Sequence, residues 1–164
     1  MASGDIDRVE AGVERGPGKD KQYRNHVPID MIRDPVRRRE LSKYYKFLDI
    51  VLRHAKHNNT TSNTELEKLL DQFGMLDDGE VGTYTEFAGN SESGDWPTYG
   101  IYNTMRGPPG QHWFCCYRGK KYDPLGEDGS RTQEQPDESN NCGQRCVAYL
   151  LMCKRAKVGG GVPL

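Results

Sequence analysis

Cys142 follows Ser139-Asn140-Asn141 and precedes Gly143, where a polar stretch gives way to the apolar series Cys146, Val147, Leu150, Leu151 and Cys153. That spacing predicts a helix beginning at Cys142. A thiol in the first turn of a helix feels the positive end of the macrodipole and unpaired N–H groups, and both favour thiolate. Gly143 removes side-chain bulk beside it, which predicts that a substrate carbonyl reaches the backbone amides and finds half an oxyanion hole there. Such a nucleophile needs a base. Of the four histidines, His26 lies near the N-terminus, and His54 and His57 close a long helix, where cations are favoured anyway. His112 instead opens a strand just after the turn Gly107-Pro108-Pro109-Gly110. His112 and Cys142 therefore read as base and nucleophile of an acyl transfer.

Asp123 is the natural third member. If the hairpin turn is Arg118-Gly119, Asp123 lies opposite Phe114; if it is Gly119-Lys120, opposite Cys116. Either register puts it on the same sheet face as His112, because side chains alternate with period two. There it would hold the imidazole tautomer and stabilise the imidazolium. Gln135, seven residues before Cys142, is a side-chain donor for an oxyanion. Taken singly, each has an ordinary role: a buried cysteine at a helix start, a turn aspartate before Pro124, a solvated glutamine. Their occurrence together favours the chemical reading.

These residues need elements to hold them. Leu41, Tyr44, Tyr45, Phe47, Leu48, Val51 and Leu52 recur at helical spacing and predict an amphipathic helix from Val36 to His57, started by Asp34-Pro35. A second helix is expected from Ser62 or Asn63 to a stop at Gly74, with Thr64 and Glu67 resembling a capping box. Residues 75–97 read as irregular, punctuated by Gly79, Gly82, Gly89 and Gly94. Strands are expected at 98–104, 112–117 and 121–123, and a polar loop over 126–141. The domain reading is a mobile charged arm at 1–35, an additional helix and linker at 36–61, a catalytic domain at 62–155 and a flexible tail at 156–164.

Composition narrows the classes. The chain has 164 residues, 34% of them hydrophobic, with 19 glycines and nine prolines, and a mean hydropathy of −0.88, so one domain with a small core is expected. Thirteen Lys and Arg face nine Asp and Glu up to residue 60, and ten face fifteen afterwards, too small a split to argue for nucleic-acid binding. No apolar run suits a membrane span, and Met1–Glu10 shows no signal peptide. The five cysteines all fall in the last third, which predicts free thiols in a reducing intracellular compartment.

Four motifs then carry a family resemblance: Ile101-Tyr102-Asn103-Thr104 leading through a glycine-containing turn to His112-Trp113; Tyr122-Asp123-Pro124-Leu125-Gly126; Gln135-Pro136; and Asn141-Cys142-Gly143-Gln144-Arg145-Cys146 opening a helix. In this order the chain resembles the adenain family, the adenovirus maturation proteases, and more distantly the SUMO-protease-like cysteine peptidases. Upstream, Gly82-Thr83-Tyr84 and the helix from Leu66 to Gly74 look similar too, so the likeness covers about residues 62–155. It implies an α+β fold: a small mixed or antiparallel sheet against helices, with the nucleophile at a helix N-terminus. It also implies His112 as base, Asp123 as its orienting carboxylate, Cys142 as nucleophile, and Gln135 with the Cys142 amide as oxyanion donors. Trp113 would pack beside the imidazole and favour its protonated form by cation–π attraction.

The expected activity is that of a cysteine endopeptidase cutting at Gly-Gly or Gly-X sites, maturing viral structural precursors, as a monomer without membrane partners. A viral protein of this kind would work in the host nucleus and the virion. The resemblance raises a peptide or DNA activator. However, the segment between Asp123 and Gln135 is shorter than in adenain and lacks the attaching cysteine, and the matching region is acidic. No cofactor is therefore expected to be required, and nucleic-acid binding stays open. Val158-Gly159-Gly160-Gly161 offers a self-processing site or simply a glycine-rich end. Competing readings are an isopeptidase for SUMO or ubiquitin-like modifiers, an acetyltransferase on the same scaffold, and a zinc-binding interaction module of His112, Cys115, Cys116, Cys142 and Cys146. Zinc spacing is poor, since Cys115 and Cys116 sit on opposite strand faces.

Overall fold

The structure is a computed structural model, and it describes residues 26, 29–104, 112–124 and 140–159. The turn 107–110, Gln135, most of the N-terminal arm and residues 160–164 lie outside the described residues.

Helix α1 spans Pro35–Ala55. Asp34 caps it as expected, its carboxylate accepting the Val36 N–H at 3.0 Å, and Lys56 ends it in the left-handed region. Its stripe of Leu41, Tyr44, Tyr45, Leu48 and Val51 is buried. Short of this helix, the residues Ile29 and Ile32 also pack against the core, and His26 stacks on Tyr45 with ring centroids 4.2 Å apart. The described end of the expected arm is thus attached to α1.

Helix α2 spans Asn63–Gln72. Its capping box is Ser62 with Glu65, two residues earlier than the expected Thr64 and Glu67. The correction follows from geometry: the box needs a residue with extended backbone at the N-cap, and Ser62 has it (φ −91°, ψ 169°). Gly74 at φ +71° closes the helix as predicted.

The segment 75–97 is not irregular. It holds strand β1 (Gly79–Thr83) and helix α3 (Tyr84–Ser93), the latter capped by Thr83 with Glu86 and ended by Gly94. β1 lacks an apolar alternation of its own. It is held by parallel pairing with β2 (Tyr99–Asn103), a partner sixteen or more residues away that sequence periodicity does not report.

β2 pairs antiparallel with β3 (Trp113–Tyr117), and β3 with β4 (Lys120–Tyr122). The result is a small mixed sheet in the order β1-β2-β3-β4. Helix α4 (Cys142–Gly159) lies on one sheet face between the sheet and α1. There Ile101, Trp113, Cys115 and Tyr122 meet Cys146, Val147, Tyr149 and Leu150 in one core. On the other face Phe87 of α3 and Trp96 cover Tyr102, Phe114 and Cys116. The fold is α+β, a small mixed four-stranded sheet packed against helices. None of the helices among the described residues is long and apolar enough to cross a membrane.

Candidate active site

Three separate elements deliver His112, Asp123 and Cys142 to one place. His112 stands one residue before β3, where its carbonyl accepts the Thr104 N–H at 2.9 Å and ties it to the end of β2. Asp123 follows β4. The β3–β4 turn is Arg118-Gly119, with both residues at positive φ (53° and 85°) and Tyr117 opposite Lys120. This two-residue turn matches the strand twist. Of the two registers open from the sequence, it selects the one that places Asp123 level with Phe114, on the side of His112. The ring of Tyr122 stacks on Tyr149 of α4 at 4.2 Å and meets Tyr44 of α1 edge-on, which holds the end of β4 still.

His112 Nε2 lies 2.6 Å from Asp123 Oδ1, and both side chains are buried. Cys142 is the first residue of α4, and its sulfur stands beside the same imidazole. Since Nε2 faces Asp123, Nδ1 is the nitrogen left for the sulfur. The Trp113 N–H also donates to Cys142 Sγ at 3.4 Å. Burial by itself would depress the imidazole's pKa. The hydrogen bond to Asp123 and the adjoining Cys142 sulfur outweigh it and push His112 up to about 10. The arrangement can hold a proton on the imidazole next to a sulfur at a helix N-terminus, which is what thiol acyl transfer uses.

Two expectations need correcting. Gly143 does not open space for a substrate. A Cβ there would stand 2.1 Å from Thr61 Oγ1, 3.0 Å from Leu66 Cδ2 and 3.3 Å from Trp113 Cδ1; the glycine lets the loop before α2 close onto α4. Trp113 does not cover the imidazole. Neighbouring residues along a strand point to opposite faces, and its indole enters the core on the α4 side, where Nε1 donates to the Thr61 carbonyl at 3.1 Å. Among the described residues no ring contact joins it to His112. Gln135 lies outside the described residues.

Sequence reasoning missed the polar residues around Cys142. Asn141, Gln144 and Arg145 are fully buried. Arg145 Nε donates to Asn141 Oδ1 at 2.9 Å, and Asn141 Nδ2 to Asn58 Oδ1 at 2.6 Å. Gln144 Nε2 donates to the Asn59 carbonyl at 2.8 Å and the His57 carbonyl at 3.3 Å. The available signal was four polar or small residues flanking Cys142 at the start of an otherwise apolar helix, since buried polar groups require partners. The other four cysteines form no disulfide and are buried. Cys115 Sγ donates to the Cys146 carbonyl at 3.9 Å on the α4 face, whereas Cys116 lies on the α3 face. Among the described residues no group of three His, Cys, Asp or Glu is placed to hold a metal.

The chain matches no family model, no curated protein and no solved structure.

Proposed function

We propose that this chain is a cysteine endopeptidase with an adenain-like or SUMO-protease-like arrangement, in which Cys142 is the nucleophile, His112 the general base and acid, and Asp123 the carboxylate that orients it. One observation carries this reading: a buried imidazole before β3 lies 2.6 Å from a buried carboxylate after β4, and beside it stands a sulfur at the mouth of α4 that accepts the Trp113 N–H at 3.4 Å.

In the reaction, His112 Nδ1 holds the proton that Cys142 has given up, and the sulfur attacks the scissile carbonyl. The tetrahedral oxyanion is met by the backbone N–H groups at the start of α4 and, on the resemblance, by the Gln135 side chain. His112 returns its proton to the leaving amine, and the C–N bond breaks to give a thioester. Water, deprotonated by His112, hydrolyses the thioester and restores the thiol. Asp123 keeps Nε2 protonated throughout, so that Nδ1 does the proton transfer. Cleavage after Gly-Gly or Gly-X and a role in maturing viral precursors rest on the resemblance.

The test is iodoacetamide labelling with peptide mapping, alongside cleavage of a Gly-Gly fluorogenic peptide. Cys142 should be modified selectively, with the rate falling sharply in His112→Ala, and Cys142→Ala should be inactive. Cleavage by Cys142→Ala at the wild-type rate would discard the assignment. Cleavage of SUMO or ubiquitin fusions in place of the peptide would assign the same site to modifier removal. Gln135→Ala should slow turnover by about 10²–10³-fold, the usual effect of removing an oxyanion donor.

A further inference from the structure

We infer that the short segment 57–61, between α1 and α2, is a positioning element of the Cys142 site, and that Asn58 and Gln144 are its positioning residues. This rests on the assignment of Cys142 as nucleophile. The sequence marks Asn58-Asn59-Thr60-Thr61 as a linker lying outside the catalytic domain. The structure instead makes it a strap across the first turn of α4.

The fastenings of this strap to α4 and β3 land within two residues of the nucleophile or on the residue that touches it. Asn58 Oδ1 accepts from Asn141 Nδ2, immediately before Cys142. The carbonyls of His57 and Asn59 both accept from Gln144 Nε2, two residues after it. The Thr61 carbonyl accepts from the Trp113 indole, and the Trp113 backbone N–H donates to Cys142 Sγ. Thr61 Oγ1 fills the space that Gly143 leaves beside Cys142.

The strap is itself anchored where it leaves α1. Lys56 caps α1 with its N–H donating to the Leu52 carbonyl, and His57 Nε2 meets Glu65 Oε2 of α2 at 3.0 Å. Gln144 is committed to this duty at a cost. Its Oε1 is buried without a partner while Nε2 serves two carbonyls, a cost that an apolar side chain filling the same space would avoid. Neither Asn58 nor Gln144 hydrogen-bonds the imidazole or the sulfur. They act by fixing where the first turn of α4 stands relative to His112.

A nucleophile misplaced by about 1 Å loses on the order of a hundred-fold in rate, so the effect is measurable without a known substrate. The experiment is the rate of iodoacetamide modification of Cys142 in the full chain against pH, for wild type, Asn58→Ala, Asn58→Asp, Gln144→Ala and a core control in α1, Val51→Ala. Thermal unfolding is followed for each.

Asn58→Ala and Gln144→Ala should lower the neutral-pH rate by about ten- to a hundred-fold and displace its pH profile. Asn58→Asp keeps an acceptor for Asn141 and should recover the rate lost in Asn58→Ala. Val51→Ala should lower the melting temperature and leave the profile in place. Wild-type profiles in both alanine variants, or an equal displacement in Val51→Ala, would overturn the strap's role. If Cys142→Ala still cleaves, the failure lies in the nucleophile assignment and not in the strap.

Discussion

His112 and Asp123 are eleven residues apart in the chain and 2.6 Å apart in space, joined Nε2 to Oδ1 across a two-residue turn, with side-chain exposures of 9% and 5%. A buried charge-assisted bond of this length fixes both the ring's orientation and its tautomer.

Asp123→Asn therefore keeps the shape and removes the control. An amide can offer N–H to Nε2 and turn the other tautomer toward Cys142. The expected result is a fall in kcat of about 10²–10⁴-fold with little change in KM, read with the Gly-Gly peptide. A variant within two-fold of wild type would show that Asp123 does not govern the imidazole.

The raised imidazole ties stability to pH. The folded protein holds the His112 proton up to about pH 10, whereas the unfolded chain releases it near the ordinary value of 6.5. The resulting stabilisation is complete below about pH 6.5, shrinks as pH rises, and is gone above about pH 10. Urea unfolding of wild type and His112→Gln from pH 5 to 10.5 should show a gap that narrows across that window. A gap that stays constant, or widens with pH, contradicts a raised pKa.

Gly143→Ala should be costly because the space is already taken. The added methyl would meet Thr61 Oγ1 at 2.1 Å, and overpacking of this kind costs about 1–3 kcal/mol. Thr61→Ala removes the colliding atom, so the double variant should be more stable than the sum of the single changes predicts. Additive losses by urea denaturation would place the conflict elsewhere.

The thiols should sort by environment. Burial pushes Cys116 and Cys146 well up from the ordinary thiol range, Cys146 with a further push from its bond to Cys115. Neutral-pH iodoacetamide treatment of the native protein should modify Cys142 first and leave Cys116 and Cys146 intact until the chain unfolds. Modification of Cys146 at the rate of Cys142 would show that the core opens around α4.

Much of the frame was legible from local pattern. The stripe Leu41 to Leu52 predicts α1, Asp34-Pro35 its start, Gly74 the end of α2, and the apolar series after Cys142 a helix beginning there; the structure contains each of these. The capping box at Ser62 was displaced because Thr64 and Glu67 share its three-residue spacing, and only backbone angles separate the two. β1 and α3 were missed because two glycines interrupt the strand and no residue of the helix is fully buried. The Thr83 and Glu86 pair and Gly94 are the local marks of that helix.

By itself the sequence determined which residue types are available for chemistry and which helices carry them, because caps and helical periodicity are set by near neighbours. Only the tertiary structure decided that Asp123 faces His112, that Gly143 serves packing, and that a linker fastens onto the first turn of α4. Those relationships join groups up to 87 residues apart. Their partners are single carbonyls and amides with no pattern of their own, so they become definite only when the sheet and α4 have closed together.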